Sequence, residues 1–207
     1  NLWRSSQLST FSRYIEKNGR VIIHNYKSPQ GPPMAFFKYD KNTMLIVCMS
    51  GFLYYNYATD KISQADFNLG SFQGNISINC AFKDHLNNIY IGTADNGVLM
   101  IPHGSKKLVQ LESRNNERFS LTTSNVFDIM EDKDLNLWVG CYKKGLYQIN
   151  HRSEAFHSWS FSAQNYTIGS SVSSIANGDN GDIWCTVQNN GVFCFNKDGE
   201  ITSHPKS

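Results

Sequence analysis

A short pattern returns along this chain about every 45 residues, and it limits the fold more than any other feature. The segment Leu137–Tyr147 aligns without gaps with Ile89–Leu99 and with Ile183–Phe193, and a weaker copy spans Met44–Tyr54. A fifth copy begins at the amino terminus. Every copy has a bulky residue at its second position, and along the chain these residues are Trp3, Leu45, Tyr90, Trp138 and Trp184. A period of this size is typical of β-propeller blades with four strands each.

Each copy of the pattern has the form of a β-hairpin. An apolar strand leads into a polar turn ending in glycine, and a second strand follows; the clearest turns are Asp95-Asn96-Gly97, Lys143-Lys144-Gly145 and Asn189-Asn190-Gly191. Asn-Gly between two strands predicts a tight hairpin with positive φ at both residues. Further strands are predicted on either side, for example Asn125–Met130 and Ala155–Trp159. Four strands in each copy make one blade.

The strand Asn125–Met130 departs from simple alternation. Val126 and Ile129 cannot both follow a period of two, which indicates either burial on both faces of the strand or a β-bulge. An innermost blade strand is buried in this way, so we place this strand next to the central channel.

Composition agrees with a β fold. Aromatic residues make up 13% of the chain and charged residues only 17%, and no helical stripe exceeds about ten residues. We therefore predict an all-β β-propeller of about four to five four-stranded blades with almost no helix. One domain covers residues 1–207, with repeats at 1–28, 33–66, 76–112, 121–161 and 168–204. The chain opens inside a blade and ends on an outer strand, so we expect a fragment of a larger array.

Charge and motif content disfavour several functions. A net charge of +2 with scattered basic residues argues against nucleic acid as a partner. The five cysteines form no CxxC pair and the six histidines form no HxH or HExxH motif, so we predict no metal and no cofactor. The chain has no apolar run of about 18 residues, so we expect no membrane span within it.

Part of the fourth repeat carries a family resemblance, in the segments Leu121–Val126, Glu131–Gly140 and Gly145–Leu146 with Asn150. Together they resemble the two-component regulator propeller repeat, in which Leu-Ser-x-Asn-x-Val precedes an acidic pair and Asp-Gly-Asn-Leu-Trp-Ile-Gly-Thr. Asn87–Thr93 and Asn180–Trp184 are similar to the same pattern. Leu135 departs from it, because the family has a glycine at this turn position.

This resemblance implies a location and a role. Such propellers form the extracytoplasmic, periplasmic sensory part of hybrid two-component sensor histidine kinases in Bacteroidetes, and they usually close as seven-bladed rings. The resemblance implies an oligosaccharide ligand, signalling across the inner membrane to a phosphorelay, and a homodimer in the full-length protein. Membrane contact is expected only through segments outside this chain. The region itself is not expected to be an enzyme.

Two alternatives belong to other functional classes. The first is a propeller that binds a protein or its own copy and has no small ligand, which an exposed apolar face would favour. The second is a propeller lyase. A lyase needs an acid and base set at the channel mouth, and no His, Glu or Lys repeats at that position.

A binding surface is expected where loops lead into the innermost strands, because these loops converge on the central channel. We predict binding residues in these loops and in the connector before the fourth repeat: Asn75, Arg114, Arg118, Ser124, Asn125, Ser170 and Ser171. The two arginines could bind an acidic sugar or a carboxylate. The five recurrent bulky residues are assigned to packing between blades and not to sugar stacking.

Overall fold

The computed structural model describes residues 2–6, 8–72, 76–111, 125–150, 155–159, 171–196 and 200–203. These residues form five antiparallel sheets whose strands pair in chain order. The first sheet contains β1 (Leu2–Ser5), β2 (Thr10–Lys17) and β3 (Arg20–Lys27); the second contains β4 (Pro33–Lys38), β5 (Thr43–Cys48), β6 (Gly51–Asn56) and β7 (Lys61–Gln64). The third contains β8 (Ile78–Lys83), β9 (Ile89–Thr93), β10 (Val98–Ile101) and β11 (Val109–Gln110). The fourth contains β12 (Val126–Glu131), β13 (Leu137–Cys141), β14 (Gly145–Asn150) and β15 (Ala155–Trp159), and the fifth contains β16 (Val172–Asn177), β17 (Ile183–Val187), β18 (Gly191–Phe195) and β19 (Ile201–Ser203).

The sheets are arranged as the blades of a β-propeller. The first strands of successive four-stranded sheets contact one another, so β8 packs between β4 and β12, and β12 packs between β8 and β16. In the described residues the only helix is a 3₁₀ turn at Gly70–Phe72, and no helix is long and apolar enough to cross a membrane. The predicted all-β propeller fold with almost no helix is confirmed.

The hydrophobic core lies between blades. Four clusters of buried side chains each join two consecutive sheets: Phe11 with Tyr55, Leu45 with Ile78, Tyr90 with Val126, and Trp138 with Val172. Among the recurrent bulky residues, Leu45, Tyr90 and Trp138 are buried, whereas Trp3 and Trp184 are partly exposed. Each blade therefore buries its apolar face against its neighbour, as in other repeat folds.

Glycine in the second strand of two blades allows this close packing. A Cβ added at Gly140 would lie 2.7 Å from Cγ1 of Val172, and one added at Gly92 would lie 2.6 Å from Cγ1 of Val126. Each valine is the first residue of the innermost strand in the next blade. The glycine therefore makes room for the neighbouring blade.

The hairpin turns differ from the sequence prediction. Cys141 pairs with Gly145 and Val187 pairs with Gly191, so each loop contains three residues and not two. The turn glycines Gly97, Gly145 and Gly191 have positive φ. The asparagines before two of them, Asn96 and Asn190, do not have positive φ. The prediction of positive φ at both residues of Asn-Gly was wrong, because the glycine is already the first residue of the returning strand.

In the third and fourth blades a carboxylate in the turn before the second strand also binds a buried aromatic side chain. Asp132 Oδ1 accepts hydrogen bonds from the Asn136 amide N (2.8 Å) and the Asp134 amide N (2.9 Å), and Oδ2 accepts one from Nε1 of Trp138 (2.6 Å). Asp84 plays the same part for Tyr90, whose hydroxyl lies 3.2 Å from Oδ2. The acidic residue therefore fixes both the turn and the buried aromatic side chain.

Candidate functional site

The four innermost strands share an irregularity at one place. The pairing register shifts between Pro33 and Ala35 in β4, and the corresponding shifts lie at Ile78/Cys80, Val126/Asp128 and Val172/Ser174. Each shift leaves one extra residue at the second position of its strand: Met34, Asn79, Phe127 and Ser173. A bulge redirects the extra side chain, and such bulges are common beside functional sites.

The four bulged residues line one open concavity of about 640 Å³ at the mouth of the central channel. Side chains of the adjoining strands and hairpin loops complete it: Met49, Ile78, Thr186, Val187 and Gln188. Strands that start more than 130 residues apart in sequence therefore contribute to one surface, because the blades are arranged around the channel. We refer to this surface as the channel-mouth site.

The channel-mouth site combines apolar and uncharged polar groups. Met34 and Met49 are 41% and 42% exposed, and the partly exposed Phe127 ring packs edge-on against Tyr142 at 5.8 Å between ring centroids. No residue that lines this site has an ionisable acid or base in its side chain. The surface therefore suits a neutral ligand that has both apolar faces and hydroxyl or amide groups.

Asn79 is the polar residue at this site whose orientation is fixed. Its Nδ2 donates to Oδ1 of Asn125 (2.9 Å) and to the carbonyl oxygen of Val126 (3.0 Å). A backbone carbonyl can only accept, so the amide nitrogen must face the fourth blade. The side-chain carbonyl Oδ1 makes neither of these bonds, and Asn79 is partly exposed.

A pair of hydroxyls forms the opposite side of the site. Ser173 Oγ lies 2.9 Å from Oγ1 of Thr186, and both residues are exposed. Paired hydroxyls can act as donor and acceptor toward the same ligand group. The site therefore presents polar groups on the third and fifth blades, with the Phe127 ring between them.

The structure describes two of the residues that were predicted to bind, Asn125 and Ser171. Asn125 is partly exposed beside the site, where its side chain holds Asn79. Ser171 is 1% exposed, and its hydroxyl accepts a hydrogen bond from the Lys143 amide N at 3.2 Å, so it links two blades and is shielded from solvent. The other predicted residues lie outside the described part of the chain: Asn75, Arg114, Arg118, Ser124 and Ser170.

Sequence reasoning missed the bulged residues Met34, Asn79, Phe127 and Ser173. The irregular spacing of Val126 and Ile129 indicated either burial on both faces of β12 or a bulge, and the strand register shows a bulge. Aligning the four innermost strands at that irregularity would have identified the other three positions.

The cysteine side chains lie largely inside the fold and form no disulfides. Cys48, Cys141, Cys185 and Cys194 are buried and all five cysteines are free. Burial raises the pKa of Cys80 and of Cys185 to about 12 each. In the described residues no cluster of three His, Cys, Asp or Glu side chains could hold a metal ion.

Together the bladed sheets and the bulge-lined channel mouth define a β-propeller domain with a ligand-sized surface at one end of the channel. No family model and no curated protein matches the sequence. Solved structures do match the fold. One is the extracellular domain of the putative hybrid two-component system BT4673 from B. thetaiotaomicron, at 17% identity and a TM-score of 0.65, covering 95% of this chain and 26% of that one.

Two further similar structures have other names. PorZ, a surface component of the type-IX secretion system of Porphyromonas gingivalis, is 12% identical with a TM-score of 0.64, over 98% of this chain and 33% of its own. Regucalcin from Agrobacterium tumefaciens, described as a calcium-binding protein, is 17% identical with a TM-score of 0.64, over 94% and 66%. The chain spans about a quarter of the BT4673 domain, and at these identities the likeness establishes the fold.

Proposed function

We propose that this chain is a sensory propeller that binds a neutral oligosaccharide at the channel-mouth site. The observation that carries the proposal is the recurrence of the bulge in four blades, which directs Met34, Asn79, Phe127 and Ser173 to one surface. Sugars have apolar C–H faces and a rim of hydroxyls. The Phe127 ring fits a C–H face, and the Asn79 carbonyl and Ser173 hydroxyl fit the rim.

Binding at this site can be transmitted through the blades. Asn79 lies on the third blade, and its amide holds Asn125 and Val126 at the start of the fourth. A sugar hydroxyl that bonds to Asn79 Oδ1 therefore acts on a contact between blades. Signalling requires that the ligand bind one arrangement of the two blades more tightly than another. A ligand bonded at this contact between blades can provide that difference in affinity.

The larger protein that we infer is an extracytoplasmic receptor of the hybrid two-component type. Support comes from the resemblance of the repeat at Glu131–Gly140 and from the fold shared with the BT4673 extracellular domain. In this proposal the propeller is periplasmic and lacks enzymatic activity, and a kinase in the same protein starts the phosphorelay.

A binding experiment tests the oligosaccharide proposal. Neutral and acidic oligosaccharides are screened by thermal shift, since a ligand of the native state raises the melting temperature, and hits are measured by calorimetry. We expect neutral glycans to bind, and Phe127→Ala to weaken them by about tenfold, the typical value of one stacked aromatic contact. Tyr14→Ala, in the first blade, is the matched control and should leave the affinity unchanged.

Other outcomes refute the proposal. If Phe127→Ala and Tyr14→Ala bind the glycan equally well, the ligand occupies another surface. Release of a cleaved or unsaturated glycan would identify a lyase. If no glycan of the panel binds, the proposal that this propeller senses an oligosaccharide is refuted.

A second function has its own support in the first blade. The edge strand β3 exposes three consecutive apolar residues, with Val21 at 62%, Ile22 at 43% and Ile23 at 52%. An exposed apolar edge favours pairing with another strand, as a homodimer would provide. We expect Ile23→Lys to shift a dimer to a monomer in sedimentation velocity, and an unchanged sedimentation coefficient would refute this role for the edge.

A further inference from the structure

A second concavity lies at the other end of the innermost strands, between the second and third blades. It has a volume of about 210 Å³, and its lining comes from the last residues of β4 and β8, the turn after β8, and the loop after β10. We call it the interblade cleft. Met34 and Asn79 stand at the second positions of β4 and β8, so the channel-mouth site is at the opposite end.

Two lysines line the interblade cleft. Lys38 ends β4 and Lys83 ends β8. The Lys83 Nζ donates to the carbonyl oxygen of Lys38 at 3.3 Å, which brings both residues to the same wall. Ile89 and Ile101, at 5% and 2% exposure, form the apolar floor.

Neither lysine forms an ion pair within the described residues. The ion pairs there are His24–Asp60, His85–Glu131 and Lys106–Asp66, and none involves Lys38 or Lys83.

The carboxylates next to the cleft have other partners. Asp84 accepts from Asn88, and Asp40 accepts from the amide N atoms of Asn42 (2.7 Å) and Thr43 (2.8 Å). The bond from Asn42 holds the pKa of Asp40 below its usual value. The cleft therefore combines an apolar floor with two lysines that form no ion pair within the described residues.

The neighbouring Lys106, in contrast, forms an ion pair. Its Nζ lies 2.6 Å from Asp66 and 2.7 Å from the Tyr54 hydroxyl, and 4.9 Å from the centre of the Tyr54 ring. Its cationic charge is therefore paired with a carboxylate, whereas Lys38 and Lys83 form no ion pair within the described residues.

The walls of the cleft are preformed. The loop Pro102–Ser105 is closed by a hydrogen bond from the Ser105 amide N to the Pro102 carbonyl (2.9 Å), with Gly104 at φ 74°. The His103 amide N donates to Oδ1 of Asn88 (2.9 Å), which ties this loop to the turn after β8. A preformed cleft loses less entropy when a ligand binds.

We propose that the interblade cleft binds a small carboxylate on a compact apolar body. The ammonium groups of Lys38 and Lys83 bind the carboxylate, and Ile89, Ile101 and Pro102 contact the apolar body. Drug-sized ligands occupy pockets of about 300–1,000 Å³, so the smaller volume here suits one ring or a short chain.

Benzoate and its neutral isostere benzamide test this proposal with the complete chain. Binding is followed through the ¹³C-labelled methyl groups of Ile89 and Ile101 in a methyl NMR titration. We expect saturable shifts with millimolar benzoate, at least about tenfold weaker binding of benzamide, and a benzoate affinity that falls with added salt.

Variants locate the charge. The double variant Lys38→Met/Lys83→Met keeps the length of both side chains and removes both charges, and we expect it to weaken benzoate binding by about tenfold or more. Lys61→Met removes an exposed lysine of β7 outside the cleft and should leave benzoate binding unchanged. Equal binding of benzoate and benzamide, undiminished binding by the double variant, or no saturable shift of either isoleucine would each overturn the proposal.

Discussion

Replacing Gly140 with alanine tests whether the second-strand glycine sets the distance between blades. An added Cβ would lie 2.7 Å from Val172 Cγ1 and 3.3 Å from Ile175 Cδ1, both in the buried cluster between the fourth and fifth blades. Overpacking of this kind costs about 1–3 kcal/mol, and alanine recovers about 0.5–1 kcal/mol over glycine within a strand. We expect Gly140→Ala to lower the free energy of unfolding by about 1.5 kcal/mol.

Val172→Ala removes the atom that the new methyl group meets. Alone it deletes two buried methyl groups and should cost about 2 kcal/mol. In the double variant the space left by Val172 accepts the new Cβ, so the total loss should also be about 2 kcal/mol, against about 3.5 kcal/mol for independent effects. The expected coupling is therefore about 1.5 kcal/mol in favour of the double variant.

Urea unfolding followed by tryptophan fluorescence measures the four free energies. Val187 supplies the control, because it is buried in the same cluster but is not among the atoms nearest to a Cβ at Gly140. Gly140→Ala with Val187→Ala should be additive within about 0.5 kcal/mol. Additivity of the same quality for Gly140→Ala with Val172→Ala would refute the close-packing argument.

Three more predictions follow from the turns and the buried thiols. Leu135 has φ 67°, a left-handed conformation that is costly for leucine, and the equivalent residues in the third and fifth blades are Asn87 and Gly181. Leu135→Gly should therefore raise the urea midpoint and stabilise the chain by about 0.5–1 kcal/mol, and a lower midpoint would contradict this. Asp132→Ala leaves the Trp138 indole N–H without its acceptor and should cost about 2–3 kcal/mol in the same assay, whereas Asp134→Ala should cost almost nothing. Burial raises the pKa of Cys185 to about 12 from an ordinary value of 9.0. The free energy of unfolding should therefore fall as the pH rises above 9, because only the unfolded chain loses this proton there. Iodoacetamide at pH 8 should label Cys185 in urea but not in the native chain.

Much of the fold could be predicted from local pattern. The recurrence of Trp138, Tyr90 and Trp184 at one position fixed the repeat, because each blade needs the same apolar side chains to pack on its neighbours. The turn type was not predicted correctly, since Asn190-Gly191 has the composition of a two-residue loop while the strand pairing begins at Gly191 itself.

The candidate sites depend on contacts between distant residues. The spacing of Val126 and Ile129 left burial on both faces and a bulge as alternatives. Only the strand register shows that Phe127 is an extra residue and that Met34, Asn79 and Ser173 share its position. Ser171 shows the opposite case, because a loop serine that looked accessible is buried against Lys143 of the preceding blade.

By itself the sequence determined the all-β class, the blade period and the order of strands, because these follow from side-chain alternation and turn chemistry over short distances. The tertiary structure alone decided which side chains meet at the channel mouth and that Lys38 and Lys83 share one cleft. The physical reason is that neighbouring blades touch at equivalent positions one whole repeat apart, and no local pattern states how closely two such surfaces pack or which side chains a bulge turns toward the channel.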